Sequence, residues 1–246
     1  MKKQLLALAM ALLVLLSMTA MATTGRYDQQ IQQAASHKIN DAKHMQNVNS
    51  SVEDGIVILT GTVGLYEDKL DAAKKVKKLQ HVTGVRNDIT VAGENVPDAQ
   101  LQKKLAKQLA YDRVGYYDNT FNYVAVDVKD GVVTLSGDTV YDIPKDVALD
   151  IVARTPGVKD VVNDVKVLPV SNFDDSIRIR TARAIYRDSV LGRYASDPAH
   201  PIRIVVDNGH VTLYGSVENT MDRNIAGIRA SSVFGAFSVE NKLVVN

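Results

Sequence analysis

The sequence predicts an α+β protein made of three tandem α-β-β-α-β units. Three observations predict it: a glycine-centred motif that recurs at near-constant spacing, period-two apolar patterns on both sides of it, and helical apolar patterns beyond those. The motif runs from Ser51 through Asp54-Gly55 to Gly61, from Asp127 through Asp130-Gly131 to Gly137, and from Val205 through Asn208-Gly209 to Gly215. Gly55 and Gly131 stand 76 residues apart, Gly131 and Gly209 78 apart. The register holds without gaps to the end of each unit. Val85, Val161 and Val239 coincide, as do Asn87, Asn163 and Asn241, and Val91, Val167 and Val245. Self-similarity at a fixed period marks a duplicated structural unit.

Each unit begins with a helix. Ile31, Ala35, Ile39 and Ala42 make one face in the first copy, and Leu101, Leu105 and Leu109 follow the start signal Pro97-Asp98 in the second. In the third, Ile177, Thr181, Ala184 and Ile185 follow a candidate cap at Asp174 or Asp175. A hairpin comes next. Val124, Val126 and Val128 alternate before the second turn, and Val133 and Leu135 after it; Ile202, Ile204 and Val206, then Val211 and Leu213, do the same in the third copy. Asp-Gly and Asn-Gly tolerate positive φ at both central positions of a type I′ turn. Gly61, Gly137 and Gly215 at the far end of the hairpin indicate close backbone packing or a kink. A second helix buries Ala72 and Val76, Ala148 and Val152, or Ala226 and Ala230, and a short last strand covers Ile89 to Val91, Val165 to Val167, or Leu243 to Val245. A hairpin joined through a helix to a third strand gives a small three-stranded mixed sheet covered on one face by two helices. The expected organisation is a signal peptide over 1–22 and units over 25–93, 97–169 and 172–246. The connectors are short, so neighbouring units are expected to pack partly against each other.

Composition narrows the function. The chain has 246 residues, 29 Lys+Arg against 28 Asp+Glu, and no Cys or Trp. A net charge of +1 argues against a strongly basic nucleic-acid binder, and the absence of Cys removes disulfides, thiolate nucleophiles and cysteine metal sites. At the N-terminus, Lys2 and Lys3 precede an apolar run from Leu5 to Leu16 and the triplet Ala20-Met21-Ala22. That order reads as a secretory signal peptide cleaved after Ala22, with an apolar run shorter than the roughly 18–20 residues of a membrane-spanning helix.

With these residues assembled, the unit resembles the BON domain (bacterial OsmY and nodulation). The hairpin pattern DGxVxLxG is carried by Asp130, Gly131, Val133, Leu135 and Gly137, and the closing pattern GVxxVxNxxxV by Gly157, Val158, Val161, Asn163 and Val167. The other copies depart modestly: His81 stands where Gly157 does, Gly235-Ala236 replaces Gly-Val, and Asn208 replaces Asp. The resemblance implies an exported, periplasmic, non-enzymatic protein similar to the OsmY-like group. It also implies binding of anionic phospholipid headgroups at a membrane surface and support of the envelope under osmotic or other stress. The alternative is a protein-interaction or chaperone-like module for envelope proteins. Family motifs of this kind are architectural, so no catalytic residue, metal, cofactor or nucleic-acid partner is implied.

The candidate phospholipid contacts are Arg180, Arg183 and Arg187, spaced i, i+3, i+7 on the third unit's first helix, with Arg178 and Arg193 nearby. Guanidinium groups fork onto phosphate oxygens, which makes this stripe the stronger basic feature. Lys74, Lys75, Lys77 and Lys78, and Lys103, Lys104 and Lys107, read more simply as solvated helix faces. Tyr116 and Tyr117 lie in the aromatic stretch from Gly115 to Tyr123 and are the second candidate contact, since tyrosine suits a water–lipid boundary. Phe121 and Tyr123, in the same stretch, are expected to cap the small core. His37 and His44, seven apart, are expected on one face of the first helix as solvent-facing residues, without the third ligand a metal would need.

Overall fold

The computed structural model describes residues 25–111, 120–195, 197 and 202–246. The predicted signal peptide lies outside them. The chain divides into two compact units, one up to Glu94 and one from Asn95 onward.

The first unit contains helix α1 (Asp28–Asn40), strands β1 (Val48–Glu53) and β2 (Ile56–Val63), helix α2 (Tyr66–Lys77) and strand β3 (Gly84–Val91). β2 is the central strand. It pairs antiparallel with β1, placing Val48 opposite Gly61, and parallel with β3, placing Ile56 opposite Gly84. Alternation along β2 buries Val57, Leu59 and Val63. Ile31, Ala35 and Ile39 of α1 and Ala72 and Val76 of α2 complete the core, as the helical spacing predicts. α1 ends at Asn40, two residues short of Ala42, the last residue of the predicted face. His44 is therefore not on the helix with His37, and His37 pairs instead with Asp41 at 2.8 Å.

The second unit holds two repeats. One runs through α3 (Asp98–Tyr111), β4 (Tyr123–Lys129), β5 (Val132–Thr139), α4 (Asp142–Ala153) and β6 (Asp160–Val167). The other runs through α5 (Asn172–Tyr186), a short 3-10 turn (Leu191–Ala195), β7 (Ile202–Asp207), β8 (His210–Val217), α6 (Thr220–Ser231), β9 (Ser238–Asn241) and β10 (Val244–Val245). Sheet order and register reproduce the first unit. Val124 opposes Gly137 and Ile202 opposes Gly215, while Val132 opposes Asp160 and His210 opposes Ser238. The closing strand is longer than the sequence predicts, because pairing starts at Gly84, Asp160 and Ser238. In the third repeat it is broken between Asn241 and Val244.

The recurrent glycines have a direct cause. All three turns place both central residues at positive φ: Asp54 and Gly55, Asp130 and Gly131, Asn208 and Gly209. At Gly61 and Gly137, φ is 111° and 116°, and a Cβ would strike the carbonyl oxygen of Asn47, just before β1, or of Tyr123 at the start of β4. Only glycine fits there.

The second and third repeats pack together as the short connector predicts. Phe121 and Val140 of the second repeat join the third repeat's core of Ile177, Ile185, Leu191, Ile204 and Leu213. Phe121 thus fills its neighbour's core rather than its own. Tyr123 stacks on Tyr214 with ring centroids 4.0 Å apart. Burial, with Tyr214 alongside, pushes the Tyr123 phenol above its ordinary range. No helix among the described residues is long and apolar enough to cross a membrane.

Candidate functional site

The polar residues that recur are engaged in architecture. Each first helix brings an aspartate to the hairpin turn of its own repeat. Asp28 accepts the backbone N–H of Asp54 at 3.0 Å and of Gly55 at 2.9 Å. Asp98 accepts from Asp130 at 2.7 Å and Gly131 at 2.9 Å, and Asp174 from Asn208 at 3.1 Å and Gly209 at 2.8 Å. The turn leaves these two amides pointing away from the ladder, and a carboxylate with two oxygens matches them both. Asp174 is therefore not the cap of α5. Ser171 fills that role, its hydroxyl accepting from the Asp174 N–H. The recurring asparagine is likewise structural: Asn87 donates to the Lys69 carbonyl and Asn241 to the Arg223 carbonyl, both at 2.7 Å, tying the second helix to the last strand.

The structure separates the arginines of the third repeat into two kinds. Arg178 is 2% exposed, pairs with Asp175 at 2.5 Å and donates to the Val206 carbonyl at 2.6 Å. Arg193 pairs with the buried carboxylate of Asp222 and with Glu218 at 3.2 Å, and lies over the Tyr194 ring. These two hold the fold. Arg180, Arg183 and Arg187 are exposed, and none takes part in an ion pair among the described residues. Arg180 donates to the Phe234 carbonyl at 2.8 Å, which fixes it against the loop after α6. The nearby acids are already engaged: Asp174 by the turn, Asp175 by Arg178, and Asp188 by Arg229 at 2.7 Å. The stripe is thus a local excess of positive charge.

Tyr116 and Tyr117 lie outside the described residues. Among the lysines, Lys74, Lys77 and Lys78 are exposed and Lys75 is half-buried; Lys103, Lys104 and Lys107 are exposed on α3. Among the described residues, no cluster of three His, Cys, Asp or Glu side chains is placed to hold a metal ion.

Sequence reasoning missed an aromatic group beside the arginines. Phe173, at the start of α5, is 48% exposed; Phe237 and Phe234, in the segment between α6 and β9, are 69% and 87% exposed. Phe173 and Phe237 meet with ring centroids 5.7 Å apart, and a Cβ on Gly209 would lie 2.6 Å from the Phe237 ring and 3.2 Å from the Phe173 ring. The available signal was register: Phe234 occupies the position of Gln80 and Pro156, and Phe237 that of Thr83 and Lys159.

No curated protein matches the chain. Among solved structures, the chain is similar to the C-terminal domain of CdsD, the structural protein of the Type III secretion system of Chlamydia trachomatis. Identity there is 15% and the TM-score 0.26, with 87% of this chain and 96% of that chain covered. It is also similar to the PrgH periplasmic domain, at 11% identity and a TM-score of 0.22, with 82% and 96% covered. The BON domain model matches residues 27–93, 97–169 and 184–246. With three matches taking in most of its length, each covering the hairpin, second helix and closing strand of one observed α-β-β-α-β unit, the chain belongs to the BON domain family as a three-repeat member.

Proposed function

We propose that this chain is a non-enzymatic periplasmic protein. On this reading it binds anionic phospholipid surfaces peripherally and so supports the envelope under osmotic or other stress. The observation that carries the reading is the exposed stripe of Arg180, Arg183 and Arg187, set among carboxylates that are already engaged. A cation near an anionic surface contributes on the order of 1 kcal/mol, and the effect decays within a Debye length of about 10 Å at 0.1 M salt. Three such groups support a weak, reversible, salt-sensitive association. The non-enzymatic part is supported by the recurrent polar side chains, which are used in turns, caps and helix ties.

The test is vesicle flotation of the chain from Thr23 onward, which holds every described residue. Phosphatidylglycerol vesicles should retain the protein at low salt and phosphatidylcholine vesicles should not. Replacing Arg180, Arg183 and Arg187 together by Gln should remove most of the difference. Equal flotation with both lipids, or a triple variant that floats unchanged, refutes the reading.

A further inference from the structure

We propose that the turn end of the third repeat is an aromatic wedge, in which Phe173, Phe234 and Phe237 enter the headgroup–acyl boundary of an anionic bilayer. Arg180 sits at its rim. This rests on the phospholipid reading above and adds where the protein enters the membrane and what holds it there.

Three observations carry the inference. First, the fold does not need Phe234 and Phe237. Residues in register with Phe237 are Thr83 and Lys159, and those in register with Phe234 are Gln80 and Pro156, in two repeats with the same topology and strand register. Three of the chain's four phenylalanines are gathered at one end of one repeat, whereas the fourth, Phe121, is buried. Second, the surface is built on supported elements. Phe173 and Phe237 cover the Asn208-Gly209 turn, which Asp174 clamps, and the Phe237 N–H donates to the Gly209 carbonyl at 2.8 Å. The edge of the His210 ring lies against Phe237, and the imidazole is held by Ser238 at 2.7 Å. Third, the aromatic group and the basic stripe are continuous. Phe173, Arg180 and Arg187 are spaced by seven residues along α5 and its C-cap, so they share a helical face. Arg180 also touches the Phe234 carbonyl directly.

An apolar centre with a cationic rim is the chemistry of a surface that meets anionic headgroups and acyl chains together. A second copy of the chain is a poorer occupant. Three partly exposed rings offer at most a few hundred Å² against the ~800 Å² per partner of a stable interface. A like-charged arginine rim would also face itself across such a dimer.

The chain has no tryptophan, so Phe234→Trp supplies a single indole fluorophore at a position that is already solvent-facing. Added phosphatidylglycerol vesicles should shift its emission to the blue, and vesicles with brominated acyl chains should quench it. Phosphatidylcholine vesicles should do neither. The double variant Phe234→Ser, Phe237→Ser should bind phosphatidylglycerol vesicles at least tenfold more weakly and, unlike the arginine triple variant, should lose the binding that survives at high salt. Circular dichroism checks that each variant is folded. If the protein floats with anionic vesicles but the indole emission of the Phe234→Trp variant is neither shifted nor quenched, the wedge is refuted and the electrostatic reading stands. If the unsubstituted protein fails to float, that reading falls and takes the wedge with it. A blue shift that follows protein concentration without lipid assigns the surface to a second copy and overturns the wedge.

Discussion

Replacing Asp174 by Ala removes the acceptor for two backbone amides at once. The two do not weigh equally. Asn208 is exposed, so its freed N–H turns to water at little cost; Gly209 is buried, and its bond to Asp174 at 2.8 Å lies out of solvent. The Asp174 residue is 4% exposed, so water cannot readily take the place of its carboxylate. A hydrogen bond to a charged group contributes about 1.5–3 kcal/mol, and a buried amide left without a partner costs about 1–3 kcal/mol. An expected loss of about 2–3 kcal/mol follows, which corresponds to roughly a hundredfold in an opening equilibrium. Amide hydrogen exchange reads it directly: Gly209 should lose about two orders of magnitude of protection. Asp28→Ala is the internal comparison. Asp28 makes the same two bonds in a more exposed setting, so Gly55 should lose clearly less. Unchanged Gly209 protection in Asp174→Ala, or an equal loss at Gly55 in Asp28→Ala, would refute the clamp as a burial-weighted contact.

Three further outcomes follow from the same geometry. Gly137→Ala drives a Cβ into the Tyr123 carbonyl at a φ of 116°, and thermal melting should show a loss of about 2 kcal/mol or more, beyond any gain from chain entropy. Arg178→Met leaves the Val206 carbonyl without its donor and Asp175 without its partner; urea unfolding should show a loss of about 2–4 kcal/mol, whereas the arginine triple variant should unfold close to the unsubstituted protein. Asp138 is held above the usual carboxylate range, chiefly by burial, with Lys166 opposing and Asp207 reinforcing. A carboxyl whose pKa is raised on folding favours the folded state below its unfolded pKa, and that contribution is lost as pH rises through the folded value. Asp138→Asn should therefore flatten the fall in stability between about pH 4 and the region just above it, and an unchanged pH profile would show that Asp138 is not the group responsible.

Most of the architecture is legible in the sequence because it depends on local chemistry repeated three times. Asp-Gly and Asn-Gly turns, alternation along β5 and β8, and the small apolar faces of the second helices each state their own conformation. What is not legible requires distance. The Asp28, Asp98 and Asp174 clamps join residues 26 to 35 apart, and the separation differs between repeats because the segment from helix to hairpin varies in length. An ungapped comparison anchored on the glycines therefore runs out of register just where these aspartates lie. Asp174 followed by Asp175 reads as the start of a helix because first-turn carboxylates are common there, and only the turn amides show that Asp174 has a different partner. In the same way, Arg178 and Arg180 are equivalent basic residues in sequence, and burial alone separates a fold-holding arginine from an available one.

The candidate site lies where the repeats disagree. Matching positions across three copies identify what every copy must keep: the positive-φ turn, the glycine against the neighbouring carbonyl, and the asparagine tie. A position that covers the turn glycine with Thr83, Lys159 or Phe237 does not require an aromatic ring to do so. Exposed phenylalanine at such a position forgoes burial that folding would otherwise favour by about 1.5–3 kcal/mol for a full side chain. Two exposed rings in one segment, with a third packed beside them over a clamped turn, make that deficit cumulative and local. An apolar surface outside the core is relieved only by something that covers it, and the adjoining arginines select a covering surface that is both apolar and negatively charged. The variability that hides Phe234 and Phe237 from repeat matching is therefore what marks them as residues kept for contact rather than for folding.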